Sequence, residues 1–171
     1  MDYYSKYLKY KSKYLELQKQ AGGNCNDVCN TLKTTHKFND FYAYLGAQLE
    51  PEQIKKMIKL KTINKFSDIF AYHGANLTVE QINKMIELKN PPYNFSDQYA
   101  YEGAKLKPEQ RQKMINLKKI YKFSDAYSFG GASLLTDKQI ERMIDLKNPP
   151  NNFVDRDAYD GAQLIDEQRN K

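Results

Sequence analysis

The chain has 171 residues, of which 40% are apolar and 28% are charged, and its formal net charge is +6. Its mean hydropathy of −0.82 is low, but 14 Tyr and 8 Phe supply core material that a disordered chain lacks. No apolar run approaches the roughly 18 residues that span a bilayer, and the N-terminus lacks the apolar region of a secretory signal. Two Cys cannot form a disulfide scaffold. We therefore expect one domain that is not secreted and that keeps both thiols reduced.

Residues 1–23 are predicted to form an amphipathic Tyr/Lys helix that ends at the break Gly22-Gly23. Its apolar residues follow the 4-3-4-3 spacing of a coiled-coil seam, namely Tyr3, Tyr7, Tyr10, Tyr14 and Leu17. The seam would allow pairing between two chains in a homo-oligomer as well as folding back on the same chain. The aromatic and basic faces also leave open an association of residues 1–20 with a membrane surface.

The string Lys-Tyr-Leu-Lys-Tyr-Lys-Ser-Lys-Tyr-Leu-Glu-Leu, followed by Gly-Gly, resembles a leader at the start of many proteins of giant viruses of amoebae, the mimivirus group. The resemblance covers about the first 23 residues. It implies a viral protein located in the host cytoplasm, the viral factory or the virion. Gly22-Gly23-Asn24 also resembles the Gly-Gly-x sites cut by maturation proteases of related large DNA viruses, although a flexible helix stop is the favoured explanation of these glycines.

Residues 24–37 are predicted to form a short capping helix that begins near Asn26 or Asp27. Cys25 and Cys29 lie four residues apart with His36 nearby. A zinc site would need a fourth ligand, and the sequence offers no second Cys/His pair. We therefore expect two ordinary thiols and no metal or other cofactor.

Five repeats follow, and their first twelve residues align without gaps. The first residues of successive repeats are 28, 29, 28 and 30 positions apart, so the repeats span residues 38–65, 66–94, 95–122, 123–152 and a truncated 153–171. A typical copy is Phe-Ser-Asp-x-Tyr-Ala-Tyr-x-Gly-Ala-x-Leu, followed by Glu-Gln-Ile-x-x-Met-Ile-x-Leu-Lys. These repeats also resemble uncharacterised helical repeats in giant-virus genomes.

Each repeat is predicted to be helix, turn, helix. Ser or Asn before the first Asp is a plausible N-cap, and Pro51 and Pro108 suit the first turn of the second helix. A glycine recurs at the centre of the first helix, where it costs about 1 kcal/mol against Ala; close approach of a neighbouring helix backbone would explain it. Met, Ile and Leu of the second helix form a stripe at helical spacing. Because two such helices cannot bury their apolar faces alone, the sequence predicts an all-α fold, a short α-solenoid of helix-turn-helix repeats preceded by the amphipathic helix.

Three positions of the first helix change from copy to copy, at i, i+4 and i+7. Packing does not constrain them, so we expect them to face solvent or a partner. Two of the three are apolar in the first repeat and one is apolar in the second. Exposed apolar residues are typical of contact surfaces, although the N-terminal helix could also cover them. The candidate partner surface consists of Phe41, Leu45, Gln48, Ile69, His73 and Asn76.

Two repeat positions are basic and could form a track for phosphates. The candidate contacts are Lys56, Lys61, Lys84, Lys89, Lys113 and Lys118. Structural ion pairs are the competing explanation, because Glu52, Glu80 and Glu109 lie four residues before the first row and a row of Asp could pair with either row. The positive charge is concentrated in residues 1–37 and in the first and third repeats, which disfavours a continuous groove.

The tyrosine row at the seventh repeat position is predicted to pack between repeats, with stacking on bases as the alternative. Neither His has a paired acid or a nucleophile motif around it, and no glycine-rich phosphate loop is present. The sequence therefore favours a non-catalytic module that binds a protein partner as a scaffold. Nucleic-acid binding through the basic segments is the alternative.

Overall fold

The computed structural model describes residues 25–164, and this part of the chain is built of helices without strands. It divides into two compact units, with the boundary between Thr78 and Val79. The predicted amphipathic helix of residues 1–23, the Gly22-Gly23 site and the last residues of the truncated repeat lie outside the described residues. The helices are α1 Asp27–Thr34, α2 Asp40–Gly46, α3 Pro51–Thr62, α4 Asp68–Gly74, α5 Val79–Lys89, α6 Asp97–Lys105, α7 Pro108–Lys119, α8 Asp125–Leu134, α9 Asp137–Lys147 and α10 Asp155–Gln163.

The closest helix packing joins the second helix of one repeat to the first helix of the next. In the first unit α1 packs on α2 and α3 on α4, and in the second unit α5 packs on α6, α7 on α8 and α9 on α10. Within each unit the short first helices of consecutive repeats also contact one another. The predicted all-α fold of consecutively packed helical repeats is confirmed.

The helix boundaries follow the predicted signals. Asn26 caps α1 by accepting a hydrogen bond from the Cys29 amide at 2.9 Å, and Asn39 caps α2 by accepting one from Tyr42 at 3.0 Å. Pro51 opens α3 in its first turn, where its missing N–H would have no helical partner. The two Asn-Pro-Pro segments follow the last residues of α5 and α9.

A tight loop follows each long helix and leads to the Phe that begins the next repeat. The residue before each repeat's Phe has a positive φ of 53° to 59°, although none is Gly. The Phe amide then donates to the carbonyl of the long helix's Leu, as from Phe95 to Leu88 at 2.9 Å. This bond satisfies a carbonyl that the helix end would otherwise expose. The residues in the left-handed conformation are Lys37, Lys65, Asn94, Lys122 and Asn152.

The core consists chiefly of Met, Leu, Phe and Ala at fixed repeat positions. The Met of each long helix, Met57, Met85, Met114 and Met143, is fully buried, whereas several Ile of the predicted stripe are only half-buried. In the second unit, α9 and α10 enclose a cluster around Met143, with Leu117, Phe123, Ile140, Ala158 and Ala162.

At four of the recurrent glycines, Gly46, Gly103, Gly131 and Gly161, the atoms nearest to an added Cβ belong to side chains and not to a helix backbone. A Cβ on Gly103 would lie 2.9 Å from Leu88 Cδ1 and 2.9 Å from Met114 Sδ. Gly46 and Gly131 face the equivalent Leu and Met of their own neighbours. The predicted close approach is therefore correct, but the predicted cause is wrong: Gly makes room for a Leu and a Met that insert from the long helices on either side.

The expectation of two reduced thiols is wrong. The Sγ atoms of Cys25 and Cys29 form a disulfide, with their Cα atoms 5.3 Å apart. The spacing of four residues brings both side chains to the same side of the N-terminal turn of α1. Cys29 is buried at the helix position that Met57 occupies in α3, while Cys25 is half-buried.

Candidate partner surface and the lysine–aspartate joints

The six candidate partner residues lie on α2 and α4 or in the turn that follows each helix. Phe41 and Leu45 are half-buried, whereas Ile69, His73 and the end-of-helix Gln48 and Asn76 are exposed. Ile69 keeps 39% of its surface accessible. The prediction that His73 is a surface residue is confirmed. Asn76 is already engaged, because its Oδ1 accepts a hydrogen bond from Gln53 Nε2 at 2.7 Å.

A row of rings links the two helices of this surface. The Phe41 ring packs edge-on against Tyr42 at 5.0 Å, Tyr42 lies 5.9 Å from Tyr72, and Tyr72 contacts His73 edge-on at 5.4 Å. The same pairing between consecutive short helices recurs in the second unit, where Tyr127 lies 5.6 Å from Tyr159. The predicted packing of the aromatic row between repeats is confirmed for Tyr72, Phe129 and Tyr159. In the first unit Phe41 and His73 lie at the two ends of one row of rings, with Tyr42 and Tyr72 between them.

The second lysine row forms ion pairs with the aspartates that begin the short helices. Lys118 Nζ lies 2.6 Å from Asp125, and each side chain is 21% exposed. Lys61 pairs in the same way with Asp68, Lys89 with Asp97 and Lys147 with Asp155. Each lysine ends a long helix and each aspartate begins the next short helix. The ion pair therefore connects the two ends of the loop between them.

Three of these pairs, those of Lys61, Lys118 and Lys147, also contact the loop of the preceding repeat, an arrangement that we call a joint. Lys118 Nζ donates to the Asn94 carbonyl at 2.7 Å and lies 4.2 Å from the centre of the Phe95 ring. The second carboxylate oxygen of Asp125 accepts a hydrogen bond from the Ser96 amide at 2.8 Å. A joint thus has a pair half, Lys and Asp, and a loop half, consisting of a carbonyl, a Phe ring and an amide N–H.

The same joint recurs between other repeats of each unit. In the first unit Lys61 donates to the Lys37 carbonyl and covers the Phe38 ring at 4.4 Å, and the Asn39 amide donates to Asp68 at 2.8 Å. In the second unit Lys147 covers Phe123 at 4.8 Å, and the Ser124 amide donates to Asp155 at 2.8 Å. Cation–π contact, ion pairing and hydrogen bonding therefore coincide in each joint.

The electrostatic setting of the joint is shown by Asp155. Burial by itself would raise the pKa of this carboxyl, but hydrogen bonds from Lys147, from the Ser124 amide and from the Ser124 hydroxyl outweigh it, with a further contribution from the Lys147 charge. The net effect lowers the pKa of Asp155 below its ordinary value. The ionised carboxylate is therefore the form that the fold stabilises.

Ion pairs between the first lysine row and the glutamates four residues earlier were the explanation that competed with phosphate contact. In the described residues, however, Lys56, Lys84 and Lys113 contact other groups. Glu52 contacts Lys55 at 2.6 Å, and the hydrogen bond and charge of Lys55 lower the pKa of Glu52, with Lys56 contributing less. Lys56 instead donates to the Leu77 carbonyl at 3.3 Å. In the second unit Lys84 pairs with Glu87 at 2.9 Å, and Lys113 pairs with Asp137. The spacing of four residues is correct for a helix surface, but Lys56 and Lys113 bind acceptors on adjacent elements and Lys84 binds a glutamate three residues later on its own helix.

Sequence reasoning did not identify an open apolar groove at the start of the first unit. The groove has a volume of about 210 Å³ and is lined by Asp27, Val28, Thr31 and Leu32 of α1 and by Ile54 and Ile58 of α3. The available signal in the sequence was the stripe of Ile, to which Ile54 and Ile58 belong. Among the described residues no group of His, Cys, Asp and Glu could hold a metal ion, and no helix there is both long and apolar enough to cross a bilayer.

Comparison with protein-family models, with curated proteins and with solved structures gives no match for this chain.

Proposed function

We propose that the protein is a non-catalytic helical-repeat module that binds a protein partner through α2 and α4, as a scaffold would. The observation that supports this most is the composition of the variable positions in the first unit. Phe, Leu, Gln, Ile, His and Asn occupy them, so the surface has no acidic or lysine side chain. It combines an aliphatic residue 39% exposed with a row of aromatic rings. Such surfaces bind protein side chains by apolar contact and amide hydrogen bonds.

The equivalent positions in the second unit differ in a way that supports the choice of site. On α6, Glu102 pairs with Lys105 at 2.5 Å, and on α10, Arg156 pairs with Asp160 at 3.6 Å. Exposed charged pairs of this kind hold hydration water and contribute little to association. On α8 the variable residues are the small Ala126, Gly130 and Ser133. The first unit therefore offers the most apolar of these surfaces.

Nucleic-acid binding is the weaker proposal because the candidate phosphate contacts have acceptors in the fold. Lys61, Lys89 and Lys118 are about 20% exposed and paired with aspartates. A phosphate would have to displace those carboxylates. Lys84 and Lys113 are more exposed, at 38%, but they too face carboxylates.

The leader-like sequence of residues 1–23 supports a viral origin and a location in the host cytoplasm, the viral factory or the virion. We include both in the proposal.

The test compares two substitutions at the same repeat position, Ile69→Glu in the first unit and Ala126→Glu in the second. Both residues are exposed helix residues, so both variants should fold. Partners captured by the wild-type chain and by Ala126→Glu should be lost with Ile69→Glu. Equal capture by all three chains would contradict the proposed surface. Binding to DNA and RNA measured across a salt titration tests the alternative: a complex that weakens steeply with salt at physiological ionic strength would favour nucleic acid.

A further inference from the structure

Each end of the described chain presents one half of a joint. At the N-terminal end, Lys33 of α1 pairs with Asp40 of α2 at 2.9 Å, which is the pair half. At the C-terminal end, Asn152, Phe153 and Val154 form the loop half, and Asn152 has the same φ of 53° as Asn94 in a complete joint. The two ends therefore carry complementary halves of the contact that holds consecutive repeats together.

Exposure distinguishes these two halves from the internal ones. Phe153 is 45% exposed, whereas the other Phe of its row, Phe38, Phe66, Phe95 and Phe123, are 2–3% exposed. Asp40 is 68% exposed and Lys33 is 37% exposed, whereas the lysines and aspartates of the other four pairs are all between 16% and 23% exposed. Val154 beside Phe153 is 64% exposed. Each end thus has the residues of a joint without its burial.

We propose that two copies of this chain associate head to tail, with the Lys33–Asp40 pair of one copy completing a joint on Asn152, Phe153 and Val154 of the other. The Lys33 ammonium donates to the Asn152 carbonyl and covers the Phe153 ring. The Asp40 carboxylate accepts from the Val154 amide, a backbone donor that does not depend on the side chain at that position. The occupant is a second copy because α1 and α2 present the lysine and aspartate that the joint requires, seven residues apart as in Lys61 and Asp68.

This contact is heterologous, since each copy uses a different surface. One copy has both halves, so association continues beyond a dimer unless the geometry closes a ring. The proposed partner surface on α2 and α4 does not include these residues. The inference therefore does not depend on the proposed function.

The experiment measures the molecular mass of the full chain by sedimentation at concentrations from about 1 to 200 μM. This range detects association with a dissociation constant in the micromolar range or weaker. The wild-type mass should rise with concentration past that of two chains. Phe153→Ser removes one half and Asp40→Lys removes the other, and each should weaken association at least about tenfold. Ile120→Ser is the matched control, because Ile120 is an exposed apolar residue, at 61%, that belongs to neither half.

Mixing the two variants is the decisive measurement. Phe153→Ser keeps the pair half and Asp40→Lys keeps the loop half, so the mixture should form a complex that stops at two chains. A wild-type chain that remains monomeric throughout, a variant that associates as the wild type does, or a mixture without a complex would each overturn the proposal. Circular dichroism of each variant confirms folding, and the two variants alter opposite ends, so misfolding of one leaves the other informative.

Discussion

Replacement of Gly103 by Ala tests the packing of the short helices most directly. Ala is favoured over Gly inside a helix by about 1 kcal/mol. The added Cβ would, however, lie 2.9 Å from both Leu88 Cδ1 and Met114 Sδ. Leu88 is 1% exposed and Met114 is fully buried, so neither can move without displacing further core atoms. Overpacking of this kind costs about 1–3 kcal/mol. We expect a net loss of about 1 kcal/mol in the free energy of unfolding.

Gly161→Ala is the matched control in the same unit. Its Cβ would meet a single side chain, Leu146, at 2.9 Å, and Leu146 is only half-buried. This leucine can rotate away, so the variant should be as stable as the wild type or more stable by up to about 1 kcal/mol. Both variants are measured by urea unfolding followed by circular dichroism.

A double-mutant cycle separates the steric cost from other effects of Gly103→Ala. Leu88→Ala alone should cost about 2–5 kcal/mol by leaving a cavity. If the new methyl group occupies part of that cavity, the double variant should lose about 1 kcal/mol less than the sum of the single variants. A Gly103→Ala chain more stable than the wild type, or strictly additive losses in the cycle, would refute the packing argument.

Three further predictions concern the joints and the disulfide. Lys118→Met should cost about 1–3 kcal/mol in urea unfolding because it leaves a largely buried carboxylate without its cation, whereas Lys84→Met should cost less than about 0.5 kcal/mol; equal losses would contradict the joint's role. Asp155→Asn should cost about 1–2 kcal/mol at neutral pH. The pKa of Asp155 is lowered in the folded chain, so its stabilisation is complete above the unfolded-state pKa of about 4 and disappears as the pH falls through the pKa of the folded chain. The free energies of unfolding of the wild type and the variant should therefore become equal in acid. Reduction of the Cys25–Cys29 disulfide should cost at most about 2 kcal/mol, since the closed loop is short; complete loss of helical circular dichroism on reduction would show that the bond has a larger role.

The sequence was sufficient to predict the helices and the Met and Leu that recur in the core. It was less successful for the caps, since Ser96 and Ser124 occupy N-cap positions without a side-chain cap hydrogen bond, and for the Ile of the stripe, several of which are half-buried. Periodicity and repeat alignment report local preferences, and these decided where each helix begins and ends. The partner of each charged side chain was not predictable in the same way. Glu52 lies four residues before Lys56, yet Lys56 donates to the Leu77 carbonyl, which is 21 residues away in sequence. Such choices depend on how elements approach one another, which no spacing within one helix specifies.

The glycine row illustrates the same limit. Recurrence at Gly103 and its equivalents indicated a close contact, but a sequence cannot distinguish an approaching backbone from an inserting Leu and Met. The loop half of the joint was also missed, because it uses the Asn94 carbonyl and the Ser96 amide, backbone groups that do not depend on the type of side chain. The available signal was the regular order of the three rows, in which Lys precedes Asp by seven or eight residues and Phe precedes Asp by two, and its interpretation required the geometry.

The contacts of a joint connect residues that lie about one repeat apart in the chain. The Ser96 amide and Asp125 are 29 positions apart, and Lys118 and the Asn94 carbonyl are 24 apart. A duplicated segment of that length brings a complete donor and acceptor set with it, so unequal recombination within the gene can lengthen or shorten the array without any compensating substitution. Folding benefits in the same way, since a hairpin that forms early offers a finished template to the one synthesised next.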